Sequence, residues 1–369
     1  MSREINPEKD KEESSRICYQ CGECTAACPL RRVSQFNPRS ILYNINAGFS
    51  DTDSLWNCLI CENCQIVCPQ GVDFPAIVLQ QRQKQELNRD ILAHRVFSEI
   101  ADFMTFFDKG VPVDFKGETE ADSEYGYFPG CLDYLDLFLD VGVNFHEIGD
   151  SAVTLLNKIG IRPQIVSLKC CGHDVLFQGN HEVFEQLAAY NTKKLKEQGI
   201  KKLIVSCAEG FFTFKRHYEL DDIEVIHISQ LLSNKLQLAD EERARNRDVT
   251  VTYHDPCALK AYQLYEYPRD AIQKSGVKYV ELRHIKDNSL CCGVSGMMNC
   301  NDMSKALRTF RLAEVKASGA DILITTCPKC LAHLNCLKYE TERSGKEEEK
   351  GYDFEIVDLA VFLGRLWKE

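Results

Sequence analysis

Five cysteines in the C-terminal third of the chain follow a spacing that could hold a metal centre. They are Cys257, Cys291, Cys292, Cys327 and Cys330. Thiolates are soft ligands that suit zinc and iron–sulfur clusters. Five thiolates exceed what one tetrahedral zinc or one cubane 4Fe–4S cluster uses. The extra sulfur could bridge two irons or hold an opened cluster at which a substrate thiol binds. The pattern therefore predicts a chemical role beyond simple electron relay.

An incomplete copy of the same pattern lies earlier in the chain, at a nearly constant offset. Its members are Cys131, Cys170, Cys171 and Cys207. Gly210 occupies the place of the fifth cysteine. This copy is predicted to hold an ordinary four-thiolate cluster, an altered cluster or nothing. Glu209 is a candidate oxygen ligand, although an exposed loop carboxylate is the favoured interpretation.

Each copy contains two adjacent cysteines followed by a glycine, at Gly172 and Gly293. Adjacent side chains point to opposite sides of an extended strand. Two adjacent cysteines can share one cluster only if they lie in a turn, and a glycine permits the backbone conformation that such a turn needs.

Two identical cysteine runs lie near the N-terminus. Each has the spacing Cys-x-x-Cys-x-x-Cys-x-x-x-Cys-Pro, and they begin at Cys18 and Cys58. In bacterial two-cluster ferredoxins with this spacing, the fourth cysteine of each run serves the other cluster. The predicted ligand sets are therefore Cys18, Cys21, Cys24 and Cys68 for one cubane, and Cys58, Cys61, Cys64 and Cys28 for the other. Zinc knuckles and incidental thiols are the alternatives, and two identical runs of four disfavour both.

Length, composition and charge exclude several classes of protein. The chain has 369 residues, 19 cysteines and a net charge of −11. Such a length can build hydrophobic cores without disulfides, and residues 1–16 contain no apolar signal segment. An intracellular, reducing compartment is expected, in which clustered cysteines bind metal. The acidic balance argues against nucleic-acid binding, and no apolar run approaches the length of about 18 residues that a membrane span needs.

The elements around the two N-terminal runs are predicted to be helical. Helices are expected over 38–48, 75–87 and 91–107, so the ferredoxin part is helical rather than β-rich.

The remainder is predicted to be two copies of one α/β unit with parallel sheets. Strands are expected at 125–131, 163–168, 202–206 and 223–228, and again at 249–253, 277–282, 322–325 and 354–357. Helices are expected at 182–198, 229–238, 302–318 and 359–367. Most of the cysteines fall at the carboxyl ends of these strands, where ligands bind in open α/β sheets.

At the cysteines the chain resembles the heterodisulfide reductase family, specifically its iron–sulfur catalytic part. Family members carry the CCG motif, a cysteine followed by a Cys-Cys pair and then a Cys-x-x-Cys, often twice. Here the first copy has 38 and 35 residues between its successive cysteine groups, and the second has 33 and 34. The last spacing is one residue short of the family pattern. The N-terminal part looks like the family's small iron–sulfur subunit fused ahead of the catalytic one.

Composition, the internal repeat and the resemblance together predict a domain order. It runs as a flexible arm (1–15), a helical two-cluster ferredoxin domain (16–109), a linker (110–124), a first CCG domain (125–238), a linker (239–248) and a second CCG domain (249–369).

The resemblance also implies cofactors and an activity. Each complete CCG motif in the family is associated with a noncubane 4Fe–4S cluster, and two such clusters act on the disulfide of coenzyme M and coenzyme B. One noncubane cluster is therefore expected here, at the second motif, beside the two cubanes, and a further iron–sulfur cluster at the first motif is left open by Gly210. The expected protein is a cytoplasmic oxidoreductase subunit that passes electrons to a disulfide or thiol within a larger complex.

Similar CCG modules occur in iron–sulfur subunits of glycerol-3-phosphate, glycolate and lactate dehydrogenases. These relay electrons between a flavin subunit and quinone. An electron-relay subunit is therefore the alternative function, with FAD only on a partner. The partner would be a flavin-containing subunit or a membrane cytochrome or quinone-linked subunit, and the chain would then be peripheral to the membrane. A scaffold with structural clusters is the non-enzymatic alternative.

Four residues near the motifs are weighed for a chemical role. His254 could donate a proton to a nascent thiolate, with Asp255 beside it. The interpretation that both residues cap the following helix and hold the loop is favoured at least equally. His173 is a weaker candidate of the same kind. Lys329 could stabilise negative charge on a cluster, although a solvated lysine is the default expectation.

Two further features complete the sequence predictions. Cys300 and Cys336 match no motif and are expected to be buried small hydrophobes. No GxGxxG or Walker run is present, so no nucleotide or flavin site is expected in this chain.

Overall fold

The computed structural model describes residues 15–49, 52–85, 93–110, 112–237, 248–295, 299–344 and 351–366. The predicted arm at 1–15 and the predicted linker at 239–248 lie almost entirely outside these ranges.

The N-terminal region is mostly helical, as predicted. Its α-helices are α1 (Glu23–Ala27), α2 (Pro38–Asn46), α3 (Thr52–Asn57), α4 (Asn63–Ile66), α5 (Phe74–Gln83) and α6 (Val96–Phe103). Short 3₁₀ turns follow at Pro29–Arg32 and Met104–Phe106. Two of the helices start at a side chain that caps the first turn. The Asn37 side chain accepts a hydrogen bond from the Ser40 amide, and the Asp73 side chain accepts one from Ala76. The helix predicted over 91–107 begins later, at Val96.

The first α/β unit follows. Its elements are β1 (Tyr125–Phe128), α7 (Leu132–Phe138), α8 (His146–Lys158), β2 (Gln164–Ile165), α9 (His173–Phe177), α10 (His181–Glu197), β3 (Lys202–Val205), α11 (Ala208–His217), β4 (Glu224–His227) and α12 (Ile228–Lys235). The four strands form a parallel sheet in the order β2-β1-β3-β4.

The second unit repeats this arrangement. Its elements are β5 (Thr250–Tyr253), α13 (Cys257–Lys260), α14 (Glu266–Lys274), β6 (Lys278–Tyr279), α15 (Asp302–Ser318), β7 (Ile322–Thr325), α16 (Pro328–Ser344), β8 (Glu355–Asp358) and α17 (Leu359–Leu366). The sheet is again parallel, in the order β6-β5-β7-β8. The predicted multidomain fold, a helical ferredoxin module followed by two α/β repeats with parallel sheets, is confirmed. The strands predicted at 163–168 and 277–282 are shorter than expected, because each pairs on one side only and its later residues leave the sheet.

Helices of the two α/β units pack against each other across the interface between the units. Helix α17 of the second unit packs on α8 of the first, and α12 of the first unit packs on α14 of the second. Between the sheets, the Ala208 amide donates to the Thr326 carbonyl at 3.1 Å. Ala208 begins α11 three residues after the end of β3, and Thr326 directly follows β7, so the carboxyl ends of the two central strands face each other. The cysteines of both motifs are thereby brought to one place.

The segment before β1 is packed against the first unit. Phe115 is buried, and its ring contacts α8 where Gly149 leaves room for it, since a Cβ at Gly149 would clash with the ring. The Lys116 amide donates to Asp150 of the same helix at 2.9 Å. These contacts hold the start of the first unit to the rest of its core.

Candidate iron–sulfur sites

The structure brings all five cysteines of the second motif to one cavity, here called the second CCG site. The cavity is lined by Cys257, Cys291, Cys292, Cys327 and Cys330. Cys257 follows β5, the Cys-Cys pair lies in the loop after β6, and the last two cysteines follow β7. The Cys257 and Cys291 sulfurs are 4.0 Å apart, and those of Cys292 and Cys330 are 3.2 Å apart.

Gly293 gives the Cys-Cys pair the turn it needs. Its φ is 101°, and a Cβ there would meet the Ser304 carbonyl oxygen at 2.7 Å. In the first unit Gly172 has a φ of 81°. Both glycines adopt the left-handed conformation that side chains disfavour, which agrees with the turn predicted from the sequence.

The donor set of the second CCG site fits an iron–sulfur cluster. Four of its thiols are buried, and Cys257 is half-buried. A hydrogen bond with Cys291 and burial raise the pKa of Cys257 well above its ordinary value. The Cys257 thiol would be neutral alone, whereas hydrogen bonds with Cys291 and Cys330 lower the pKa of Cys292 to about 6. A bound metal keeps its coordinating thiols deprotonated. Five soft ligands that can ionise together around one cavity are what a cluster requires.

The first motif is arranged differently, in a cavity here called the first CCG site. This cavity is lined by Cys131, Cys170, Cys171 and Cys207. Cys207 is turned toward the second motif, where a hydrogen bond with Cys327 and burial raise its pKa well above its ordinary value. Gly210 lies inside α11, and no thiol replaces it among the described residues that line the cavity.

An ion-pair cluster fills part of the first CCG site. Lys329, which lies between two cysteines of the second motif, extends its ammonium group into the first site. The ammonium contacts the Asp174 carboxylate and lies 2.9 Å from Glu209 Oε2. His173 Nδ1 lies 3.4 Å from the same Glu209 oxygen. His173 and Glu209 line both cavities and therefore form the wall between the two sites.

These positions correct two expectations. Glu209 was expected to be an exposed loop carboxylate, and Lys329 a solvated lysine. Both are buried, with exposures of 6 % and 5 %. The predictions were wrong because each group finds its partner on the other α/β unit, which the local sequence does not reveal. The negative charge of Glu209 is balanced by the ammonium group of Lys329 instead of being solvated by water.

His254 is buried beside the thiols of the second CCG site. Its nearest ring nitrogen and the sulfurs of Cys292 and Cys330 all lie within 4.8 Å of one another. Arg311 Nε donates to His254 Nδ1 at 3.0 Å. Burial and the charge of Arg311 lower the pKa of His254 to about 3. The imidazole is therefore neutral near pH 7, and its proton is on Nε2.

Asp255 holds the neighbouring loop and does not cap α13, whose N-cap residue is Pro256. Its carboxylate accepts two hydrogen bonds from Arg269, at 2.7 and 2.9 Å, and one from the Lys286 amide at 3.0 Å. Burial acts to raise the pKa of Asp255, but the hydrogen bonds and charge of Arg269 outweigh it and hold the pKa below its ordinary value. The capping interpretation is therefore wrong, and the loop-holding interpretation agrees with these bonds.

The N-terminal cysteines form two groups that differ in exposure. The group Cys28, Cys58, Cys61 and Cys64 is buried, whereas Cys18, Cys24 and Cys68 are half-buried and Cys21 is exposed. Burial and the nearby Cys58, Cys61 and Cys28 raise the pKa of Cys64 well above its ordinary value. Cys68 lines a cavity together with Cys18, Cys21 and Cys24, and Cys64 of the other predicted set also lines it. The crossed ligand sets therefore stay a prediction.

The loop of the second run covers the second CCG site. Leu59, Ile60 and Glu62 line its cavity together with the five thiols. The Ser295 hydroxyl donates to the Cys58 carbonyl at 3.5 Å. Cys61 and Cys257 are close enough to interact electrostatically. The second ferredoxin group and the second CCG site are therefore direct neighbours.

Several residues of this region were not singled out by the sequence. Lys260 and Arg311 are buried beside ligand cysteines, and Asp174 completes the cluster around Lys329. The position of Asp174 two residues after the first Gly-containing turn, and of Lys260 three residues after Cys257, could have drawn attention to them. Their partners come from other segments, so the sequence offered no further signal. Cys300 and Cys336 are half-buried rather than buried.

Two known families match parts of this chain. A family described as "Cysteine-rich domain" (CCG) matches residues 125–215 and 251–335. A family described as "4Fe-4S dicluster domain" matches residues 14–72. In the described part of the chain, no helix combines the length and apolar character needed to cross a membrane.

Similar proteins include components of several reductases. A dihydromethanophenazine:CoB–CoM heterodisulfide reductase subunit of Methanosarcina mazei is 27 % identical over 86 % of this chain and 87 % of its own length. A fumarate reductase (CoM/CoB) subunit of Methanothermobacter marburgensis is 24 % identical over 96 % of the chain and 74 % of its own. EtfAB:quinone oxidoreductase of Syntrophomonas wolfei is 23 % identical over 91 % of the chain, which spans only 49 % of that protein.

Among solved structures, a hypothetical protein from Helicobacter pylori has a similar fold. The TM-score is 0.58 at 13 % identity, over 90 % of this chain and 68 % of that one. The comparison supports the fold alone. Together with the family matches and the similar reductase components, the arrangement of the cysteines identifies the chain as an iron–sulfur protein related to the heterodisulfide reductases, built from a 4Fe–4S dicluster domain and two CCG cysteine-rich domains.

Proposed function

We propose that this chain is an electron-transfer subunit of an oxidoreductase complex, in which the second CCG site is the inner end of a path that begins at the N-terminal cysteines. Cys18, Cys21, Cys24 and Cys68 would hold one cubane, Cys28, Cys58, Cys61 and Cys64 the other, and the five cysteines of the second motif a noncubane cluster. When bound, these clusters supply one-electron carriers and, at the second CCG site, an iron or sulfur that can bind a thiol.

The observation that carries the proposal is the contact between the second ferredoxin group and the second CCG site. Leu59, Ile60 and Glu62 form part of the wall of the CCG cavity, and Cys61 interacts electrostatically with Cys257. A dicluster domain that served a distant partner would not need to place its inner ligands here. The contact supports an internal path between the two domains.

The exposure of the cysteines supports the same order of redox sites along the proposed path. Cys21 is exposed, the inner ferredoxin group is buried, and four of the five thiols of the second CCG site are buried. A partner that carries electrons can approach the outer group closely. This partner is proposed to be a flavin-containing subunit or a quinone-linked membrane subunit. The name of the similar EtfAB:quinone oxidoreductase is in keeping with the quinone link.

The preferred reaction at the second CCG site is reduction of a disulfide or oxidation of thiols. Five thiols, one more than a cubane uses, support a cluster that changes its ligation. His254 supports the same chemistry, because its neutral imidazole lies beside Cys292 and Cys330 and has an Nε2–H that can donate a hydrogen bond to negative sulfur there. His173 and Glu209 separate this site from the first CCG site, so the reaction would depend on one complete motif.

A relay without its own substrate is the second candidate, and burial favours it. Four of the five thiols are at most 3 % exposed, and the described walls of the cavity leave little access for a disulfide. The similarity to EtfAB:quinone oxidoreductase supports the same alternative.

The test is an EPR-monitored redox titration of anaerobically purified protein, with and without added thiol, on the wild type and Cys257→Ser. A signal of the oxidised protein that thiol alters in the wild type but not in Cys257→Ser supports disulfide chemistry. A third reducible centre that does not respond to thiol supports the relay. If only two reduced ferredoxin-type signals appear in both proteins, the proposed path ends at the second cubane and the proposal fails.

A further inference from the structure

A buried lysine lies between the second ferredoxin group and the second CCG site. Lys260 ends α13, three residues after Cys257, and its side chain is 2 % exposed. Its ammonium donates to Asn63 Oδ1 at 2.5 Å and to the Ser289 carbonyl at 2.7 Å. Asn63 lies between Cys61 and Cys64, and Ser289 lies two residues before Cys291. The charge is thus held by residues next to the ligands of both proposed clusters.

This charge has no anionic side chain beside it. Within the described ranges, no carboxylate oxygen lies within 4.0 Å of the Lys260 ammonium. Glu62 supplies a more distant negative charge, but its own carboxylate is paired with Arg216 at 3.2 Å. An isolated buried ammonium is costly, and two neutral acceptors compensate only part of that cost.

Lys260 acts electrostatically on ligands of both proposed clusters. Its positive charge is close enough to interact with the sulfurs of Cys61 and Cys257. The missing counter-charge is therefore available if these cysteines are thiolates of a bound cluster.

Lys329 is a lysine of the same protein whose positive charge is compensated by carboxylates. It is similarly buried, yet it contacts the carboxylates of Asp174 and Glu209. The contrast indicates that the absence of a carboxylate at Lys260 is a feature of its site and not of burial.

We propose that Lys260 is a fixed positive charge that stabilises added electrons at the junction between the second cubane and the second CCG cluster. It acts by position and charge, and it is neither a ligand nor a proton donor. Each reduction at the junction adds one electron, and no bond forms or breaks at Lys260. The inference rests on the proposed function, because it takes the negative charge of those clusters as the partner of Lys260.

The test compares three variants by redox titration of anaerobically purified protein, with dithionite as the reductant. Lys260→Gln removes the charge and keeps a hydrogen-bond donor. Lys260→Arg keeps the charge. Lys278→Gln removes the same charge from the exposed start of β6. Iron and acid-labile sulfide are measured on every sample, so loss of a cluster is distinguished from a change in its potential.

Lys260→Gln is expected to lower the equilibrium constant for reduction of a neighbouring cluster about tenfold or more. For a one-electron couple, tenfold corresponds to a decrease of about 59 mV in potential. Lys278→Gln and Lys260→Arg should stay within about threefold of the wild type. If Lys260→Gln loses a cluster that Lys260→Arg retains, the result also supports a requirement for the charge.

The inference is overturned if Lys260→Gln contains its full iron and its potentials equal those of the wild type. It is also overturned if Gln and Arg have the same effect, because shape rather than charge would then matter. The iron content of the wild type tests the proposed function separately from the inference about Lys260. A wild type with only two cubanes lacks the second CCG cluster, while the potential of the second cubane still tests Lys260 through Cys61.

Discussion

Single residues decide whether the second CCG site can assemble, and Gly293 is the sharpest example. Its positive φ and its close approach to the Ser304 backbone are both needed for Cys291 and Cys292 to face one cavity. Gly319, at the end of α15, also has a positive φ, but a Cβ there would meet nothing within 4 Å. Comparing substitutions at the two glycines therefore separates the free-energy cost of the left-handed backbone from the cost of the contact with the Ser304 backbone.

We expect Gly319→Ala to reduce the free energy of unfolding by about 1–2 kcal/mol, the cost of a left-handed alanine. Gly293→Ala should cost more, and it should lower iron content because the backbone must shift beside two ligands. Denaturant unfolding of the apo-proteins and iron analysis of the holo-proteins measure the two effects. Equal iron content in both variants would contradict the role given to Gly293.

Among the residues of the first CCG site, Lys329 is the one whose substitution should destabilise the site most. In Lys329→Met, Asp174 and Glu209 would remain buried without their cation, and removal of one partner of a buried pair typically costs about 3–5 kcal/mol. Lys305→Met, on the exposed face of α15, is the matched control and should change stability by less than about 1 kcal/mol. Urea unfolding midpoints of the two variants give the comparison. A midpoint for Lys329→Met equal to that of the control would show that the ion-pair cluster is not formed.

At the scale of elements, the loops after β5 and β6 are held together by a buried ion pair. Arg269 on α14 binds Asp255 after β5 and Glu281 after β6, the latter at 2.7 Å. These loops carry Cys257 and the Cys-Cys pair, so the ion pair fixes the distance between two groups of ligands.

Arg269→Gln should destabilise the protein by about 3–5 kcal/mol near pH 7, since Asp255 would be left buried and charged. The pKa of Asp255 is depressed in the wild type, so its stabilising contribution is present above about pH 4 and is lost as pH falls through the folded value. The difference between wild type and variant should therefore shrink below about pH 4. Urea unfolding at several pH values measures it, and a difference independent of pH would contradict the argument.

The exposed pair of Arg162 and Glu118 gives the matched control for Arg269. Its side chains are 62 % and 66 % exposed, so Arg162→Gln should cost less than about 1 kcal/mol at any pH.

Most of the elements could be predicted from the sequence. Helix α15 and strand β7 have the predicted limits, because Asn301 caps the helix, Gly319 ends it and the strand is a short apolar run. Strands β2 and β6 were predicted too long, since apolar pattern does not reveal where a strand at the edge of a sheet stops pairing.

The candidate sites were predicted in part. Cysteine spacing indicated which thiols would meet, because ligands of one cluster recur at characteristic intervals. The surroundings of those thiols could not be predicted in the same way. Lys329, Glu209 and Lys260 gain their partners from segments far away in the chain, and their burial follows from how the domains pack.

In the whole molecule, the dicluster region is tied to both α/β units. Ser295 and Lys260 of the second unit donate to Cys58 and Asn63, and two arginines join the region to the first unit. Arg82 of α5 is buried and donates to the carbonyls of Phe177, Leu55 and Cys58, each at 2.8 Å. Arg216 of α11 pairs with Glu62 and with Asp73, at 3.2 and 3.3 Å. These contacts fix the inner cysteine run against the CCG domains and support a single continuous path of redox sites.

The contacts of Arg216 can be tested without touching a cysteine. Arg216→Gln would leave Glu62, which is 5 % exposed, without its cation. We expect the dicluster region to loosen first, so limited proteolysis should cleave the variant near the second cysteine run faster than the wild type. Cleavage at the same rate in both would indicate that this pair does not hold the dicluster region in place.

The central claim is that the second CCG motif holds an iron–sulfur cluster beside the two cubanes. Its most direct test is iron and acid-labile sulfide content of anaerobically purified wild type, Cys291→Ser and Cys300→Ser. Cys300 belongs to no motif, so its variant controls for the loss of a thiol. We predict about twelve irons for the wild type and Cys300→Ser, and about eight for Cys291→Ser. About eight irons in all three proteins would mean that the second CCG site holds no cluster, and would contradict the claim.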